Sequence, residues 1–219
     1  MKQTLYILLL AATLTSCLDE DIVSPTWNDA SFEPIQSLQP FEDAIPAYDF
    51  DYWELVWHKP QGDEVHFRSG VICKDAEDPM DCAQQFYRIR QLGTEFPKEN
   101  ESGANHYYYL RSNEQGYNKY WYDREDLSAF LGAIDSKGDA LLIAAANGYH
   151  FEKGQRSASG IKQEGNTYRI IALKTVSICA PFQVNKVLLE VDQNANLNVL
   201  DEAVYLHEEK SCSPAQKGE

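Results

Sequence analysis

Five histidines are spread along the chain: His58, His66, His106, His150 and His207. No two have the spacing of paired metal ligands on a helix, such as HxxxH. His58 and His66 come within reach of each other only if the residues around them form a hairpin. Asp63 and Glu64 would then lie beside them, as a weak metal or acid–base site. Asp49, Asp51 and Glu54 flank Trp53 and Trp57. Carboxylates beside indole rings suit the hydrolysis of glycans. The plainer reading of the same residues is an acidic segment leading into a packed hairpin. The run from Asp192 to Asn198 begins like a calcium-binding EF-hand loop. It departs at its sixth position, where Leu197 replaces the turning glycine, and at its twelfth, where Ala203 replaces a bidentate glutamate. A hairpin turn is the expectation there. There is no GxSxG, no SxxK, no Cys–His pair and no phosphate-cradling glycine loop. No catalytic residue, metal ligand or cofactor is therefore assigned.

The densest concentration of one side-chain chemistry is aromatic. Tyr107, Tyr108, Tyr109, Tyr117, Tyr120, Trp121 and Tyr122 lie within sixteen residues. On a hairpin, neighbouring positions face opposite ways, so some of these rings must meet solvent or a second layer. Tyrosine offers a large rigid contact with a polar tip, which suits recognition of a protein or a glycan. Cross-strand packing within the sheet is the alternative use.

Five cysteines are present, and the first differs from the rest. Leu5 to Leu14 is a short apolar run after Lys2, about half the twenty residues a membrane-spanning helix needs. That is the layout of a secretory signal. The run ends in Leu14-Thr15-Ser16-Cys17, which resembles the lipobox of bacterial lipoproteins. The resemblance covers about the first twenty residues. It implies cleavage before Cys17, a diacylglycerol on its thiol and an acylated new N-terminus. At about 0.8 kcal/mol per buried methylene, several acyl chains make a permanent anchor. Leu18 stands where an inner-membrane retention signal would carry aspartate, so the outer membrane is favoured. Asp19-Glu20-Asp21 resembles the surface-export signal of Bacteroidetes lipoproteins.

An envelope location is oxidising, and Cys73, Cys82, Cys179 and Cys212 are even in number. Three connectivities are possible. Cys73–Cys82 and Cys179–Cys212 are favoured because each pair lies within one local unit. Without residues 1–16 the chain has 18 basic and 34 acidic side chains, a formal charge of −16. Such a surface repels nucleic acid and attracts cationic proteins or peptides.

The elements that would position these residues can be read in order. Residues 1–16 are a signal peptide and 17–48 an acidic, proline-rich tether, packed in part on the domain through Trp27 and Phe32. Residues 49–212 form a single domain, and 213–219 a polar tail. The domain begins with a hairpin over 51–73. A helix follows, capped by Asp78, with Pro79 in its first position and Gly93 at its end. The tyrosine hairpin turns near Asn113 to Gly116. Asp123 caps a helix running to about Ile134, and Ser136 with Asp139 opens a third. That third helix, "ALLIAAA", reads as buried and ends at Asn147-Gly148. Two hairpins follow, turning at Glu164–Asn166 and Asp192–Asn196. The fold class expected is α+β: an antiparallel β-meander packed against two to three helices and stapled by two disulfides. The function expected is a lipid-anchored envelope module that binds a basic protein or a glycan. A glycan hydrolase and a structural subunit of an envelope complex are the rival classes.

Overall fold

A computed structural model describes residues 27–37, 41–59, 62–88, 96, 107–121 and 123–212. Cys17, the signal region, His106, Tyr122 and the 213–219 tail lie outside them. The fold is α+β, with three helices and nine strands among the described residues. In chain order these are β1 (Glu33–Pro34), β2 (Tyr52–Lys59), β3 (Gly62–Gly70), α1 (Pro79–Arg88), β4 (Tyr107–Glu114) and β5 (Tyr117–Trp121). Then come α2 (Arg124–Leu131), α3 (Lys137–Ala146), β6 (Gly160–Glu164), β7 (Thr167–Ile178), β8 (Phe182–Val191) and β9 (Leu197–Glu208).

The local signals act as their chemistry predicts. Asp78 accepts from the backbone N–H groups of Met80 and Asp81 at 3.1 and 3.0 Å, opening α1. Asp123 does the same for α2 through Asp126 N at 2.7 Å. Gln115 and Gly116 both have positive φ, which gives β4–β5 the tight two-residue turn that matches strand twist. Asp192 closes the β8–β9 turn by accepting from Asn194 N at 2.8 Å and Asn196 N at 2.9 Å. Its carboxylate holds its own loop, as expected of a hairpin turn. Both disulfides, Cys73–Cys82 and Cys179–Cys212, are formed.

The strands make two antiparallel sheets, and β6 to β9 run in chain order as the expected meander. Sheet A has the order β1-β6-β7-β8-β9, and sheet B the order β3-β2-β4-β5. The helix α3 explains the division. Every residue from Gly138 to Ala146 is buried, so the helix has no polar face to turn to solvent. One core cluster joins Trp53, Leu55, Leu110 and Trp121 of sheet B to α2 and α3, and these to Ile170, Ala172, Val187 and Leu189 of sheet A. The helix pair thus lies between the two sheets. Outside sheet A, Phe32 and Trp27 pack on Ile171 and Leu188, the alternate residues of β7 and β8. Outside sheet B, α1 sets Phe86 against Tyr52, with ring centroids 5.5 Å apart.

The expected tether of residues 17–48 is, from residue 27 on, part of the domain. Phe32, Ile35, Phe41 and Ala44 are buried. Glu33 and Pro34 pair with Ile161 and Gly160 at the edge of sheet A, where a proline is tolerated. Asp29 receives the buried Lys186 ammonium at 2.9 Å. Four apolar side chains among the acids decide the outcome, since burial favours them over an extended solvated chain. The Asp123 helix is also shorter than expected, ending at Gly132, whose φ is +67°.

The buried end of α3 holds this segment down. Ser136 and Asp139 form a capping box. Asp139, fully buried, also accepts from Ile45 N at 2.8 Å, 94 residues away in sequence. Gly138 leaves room for the passing chain, since a Cβ there would come within 2.5 Å of Ala44 N. Burial pushes the Asp139 carboxyl above its ordinary range, against the downward pull of its hydrogen bonds. The pKa of Asp192 is lowered by its bonds to Asn196 and Asn194.

Asp139→Ala should lose about 2 kcal/mol or more, beyond an ordinary cap, because the Ile45 N–H is orphaned as well. Urea denaturation giving a loss below about 0.5 kcal/mol would show that segment 41–45 is held by other contacts. The pH effects have opposite signs. The contribution of Asp139 is complete below the unfolded carboxyl pKa and is lost as pH rises through its raised folded value. That of Asp192 is present above the unfolded value and is lost as pH falls through its lowered one. Carboxyl carbon titration should place the Asp139 midpoint above about 3.9 and the Asp192 midpoint below it.

Candidate functional site

The tyrosine hairpin is largely structural. The β2–β4 register puts Tyr109, Arg111 and Asn113 on one face and Tyr108, Leu110 and Ser112 on the other. Tyr109 stacks on Tyr120 at 5.0 Å, and both are buried. Trp121 packs on Phe130 at 5.3 Å and donates from Nε1 to Ser112 Oγ at 2.8 Å. Tyr108 is half-buried between Phe41 and Trp57. Burial raises the pKa of both Tyr108 and Tyr109. Tyr107 begins β4, and Tyr122 lies outside the described residues. Tyr109, Tyr120 and Trp121 are therefore packing groups, under the helix layer on one side and in a polar network on the other. Tyr117 is open to solvent, at 81 % exposure.

That network consumes the groups with apparent chemistry. Glu54, 1 % exposed, accepts from Arg111 Nε at 2.8 Å and also from Arg111 Nη2. Its other oxygen accepts from the Tyr52 hydroxyl at 2.6 Å. The Arg111 guanidinium stands 5.1 Å from the Phe86 ring and 5.3 Å from Tyr87. Farther along the same face, His58 Nδ1 lies 2.6 Å from Asp63, which also accepts from the Tyr109 hydroxyl at 2.9 Å.

His58 and His66 do not face each other. A bulge opposite Leu55 and Val56 shifts the register, and His66 lies instead against Trp57 and Tyr108, at 5.0 and 5.6 Å. The proposed acids and tryptophans do not converge either. Glu54 faces α1, whereas Trp53 faces the core against Phe67 and Phe130. Asp51 accepts from Gln115 N at 2.7 Å, and Asp49 is exposed. These residues do not form a glycan-hydrolase pair: strand alternation turns Glu54 away from Trp53 and Trp57, and Asp51 is used on the β4–β5 turn.

A site the sequence reading passed over lies at the free end of the hairpin. A groove of about 460 Å³ is lined by Asp75, Glu77, Asp78, Asp81, Gln85 and Tyr117. Its walls are the Cys73–Cys82 loop, the first turn of α1 and the β4–β5 turn. Buried Asn113 joins them: its Oδ1 accepts from Cys73 N at 3.0 Å and its Nδ2 donates to Asn118 at 2.7 Å. Asn118 in turn donates to Cys82 O at 3.2 Å. The turn lies against Ala76 at ordinary contact distance, and it is the φ of +82° at Gly116 that calls for glycine there. The disulfide and these bonds make the groove rigid.

Its electrostatics are one-sided. Four exposed carboxylates face the groove, and Lys74 is the cation beside them, 3.8 Å from Asp75. Asp78 uses one oxygen on the helix cap, and Asp81 accepts from Gln85 at 2.7 Å. Among the described residues no three His, Cys, Asp or Glu side chains converge as a metal ion requires. The charge is spread, which suits a surface of several cations. Tyr117, 81 % exposed, lines it and adds aromatic contact. In the sequence the signal is "KDAEDPMD" between two bonded cysteines, four acids and a methionine on a short stapled loop. No protein family, curated protein or solved structure matches the chain.

Tyr120→Ala should cost about 3 kcal/mol or more, and Tyr117→Ala less than about 0.5 kcal/mol, in thermal or urea unfolding. Equal losses would mean that the hairpin is not divided into core and surface as described. Glu54→Leu should cost about 3–5 kcal/mol by leaving Arg111 charged and buried. Adding Arg111→Met should recover much of that loss. Strictly additive losses would contradict a coupled pair.

Proposed function

We propose that this chain is a lipid-anchored envelope lipoprotein whose domain is a binding module for a cationic protein. The observation that carries the reading is the rigid acidic groove beside Tyr117. Charge spread over four carboxylates steers a basic partner and sets its orientation, while the exposed Tyr117 ring supplies contact area. The strong net charge of the chain adds long-range attraction. The anchor is supported by Leu14-Thr15-Ser16-Cys17, and two local disulfides suit an oxidising compartment. Leu18 supports the outer membrane as its location.

The test is a photo-crosslinking amino acid placed at position 117 in cells, with Lys153, an exposed residue, as the control position. A basic protein should be captured at 117 and not at 153. Tyr117→Ala combined with Asp75→Asn and Glu77→Gln should weaken the purified pair by more than about tenfold, or 1.4 kcal/mol. Affinity should also fall as salt shortens the screening length from about 10 Å at 0.1 M to about 3 Å at 1 M. A salt-independent complex, or capture of an acidic partner, would refute the reading. Cys17→Ser should abolish labelling by a palmitate analogue, and persisting label would refute the anchor.

A further inference from the structure

A second cleft differs from the groove in charge. It lies where the helix layer meets sheet A, and it has two adjoining lobes of about 440 and 230 Å³. Both lobes share Arg124, Asn147 and Leu197. The larger adds Tyr149, Lys174 and Thr175. The chain as a whole carries 34 acids against 19 bases, yet among the described residues lining either lobe none is Asp or Glu. Two cations, two amides and three hydroxyls line the lobes, together with apolar residues such as Leu127 and Val176.

The fold positions these groups. Arg124 is the first residue of α2, and its Nε donates to Ala146 O at 3.2 Å, at the end of α3. That bond orients the guanidinium plane, and a planar fork of N–H donors suits a carboxylate or sulfate. Asn147 ends α3 and donates to Ile143 O at 2.8 Å. Gly148, with φ +84°, turns the chain so that Tyr149 comes back onto the end of the helix, its N–H on Ala144 O at 3.2 Å. Tyr149 is buried, and the Lys174 ammonium stands 4.9 Å from its ring centroid. Burial first, and Glu202 second, raise the Tyr149 pKa, so its hydroxyl stays protonated as a donor. Glu202 itself lines neither lobe and accepts from Asn185 at 2.6 Å.

We propose that this cleft binds a small polar anion of sugar-acid size. Arg124 and Lys174 would take the charge, and Asn147 and Thr175 the hydroxyl-rich body. The volume falls within the range of about 300–1,000 Å³ seen for small-molecule sites. The larger lobe is lined mainly by polar residues, which favours a hydrophilic ligand there. The site is separate from the acidic groove, and its test does not depend on the proposed protein partner.

The experiment is isothermal titration calorimetry on the full-length chain in detergent, with D-glucuronate and inorganic sulfate as probes and D-glucose as the neutral control. Glucuronate should give saturable one-site binding with a Kd of about 1 mM or tighter, and glucose should not. Sulfate should compete with glucuronate. Lys174→Gln should weaken glucuronate by about tenfold or more at unchanged melting temperature, and Lys153→Gln should leave it unaltered. Arg124→Gln should act like Lys174→Gln. If it also unfolds the helix junction, Lys174→Gln alone decides the matter. The proposal is overturned by the absence of saturable heat from both anions at about ten times that Kd, or by equal binding of glucose. Sulfate binding without glucuronate overturns the sugar-acid class. Glucuronate binding that is indifferent to Lys174 overturns the assignment to this cleft.

Discussion

A helix without a polar face has to be covered on all sides, and α3 is such a helix. Its sequence, KGDALLIAAA, leaves every residue from Gly138 to Ala146 buried. No single sheet can cover a cylinder, so a second layer must close over the side that the first leaves bare. The ends are harder to cover than the sides, because four N–H groups and four C=O groups there have no partner within the helix. At the N-terminus Ser136 and Asp139 meet that demand, and Asp139 has enough capacity left to bind Ile45 N. At the C-terminus Asn147 donates to Ile143 O, and Arg124 reaches Ala146 O. Each end of one buried helix therefore recruits a distant part of the chain. The segment around residues 41–47 is held at one end and the start of α2 at the other.

Sheet B meets a second constraint on its outer side. Burying Glu54 and Arg111 removes two charges from water, and the desolvation cost is recovered only if nearly every polar atom finds a partner. Tyr52 takes the second carboxylate oxygen, and Phe86 and Tyr87 stack on the guanidinium. That arrangement fixes α1 over the sheet. Asn113 and the Cys73–Cys82 bridge fix its first turn to the hairpin tip. The acidic groove is the exposed end of this braced unit. Its carboxylates sit on an element that cannot relax away from a partner, and a binding surface gains affinity from such preorganisation.

What the sequence makes legible are the features decided within a few residues. The caps at Asp78, Asp123 and Ser136, the turns at Gly116 and Asp192, and both disulfides are of this kind, and the structure has them all. What it hides depends on which layer lies opposite. The seven aromatic residues of the hairpin read equally well as surface or as core, because alternation gives two faces without saying what covers each. The bulge at Leu55 and Val56 sends His66 to the side opposite His58, and no residue type announces it. Phe32, Ile35, Phe41 and Ala44 were visible, but acids and prolines around them set the average polarity of that stretch. The groove is hidden for a different reason: "KDAEDPMD" carries the cap and first turn of a helix, and its acids line one groove only because the β4–β5 turn packs beside them.

The order of layers bears on how such a domain would sit on a membrane. Residues 27–32 enter on the outer side of sheet A, packing through Trp27 and Phe32 on Ile171 and Leu188. The groove belongs to α1 and the hairpin tip, on the outer side of sheet B. Sheet A, the helix pair and sheet B lie between them. With acylation at Cys17, the nine residues from 18 to 26 span at most about 30 Å even when fully extended. A leash of 31 residues, as the sequence alone suggested, would allow the domain to tumble freely above the bilayer. If Cys17 is acylated as proposed, a link of nine residues would favour orientations with the sheet A side nearer the lipid. In those orientations the groove, on the opposite side of the stack, would face away from the membrane and stay open to the proposed basic partner.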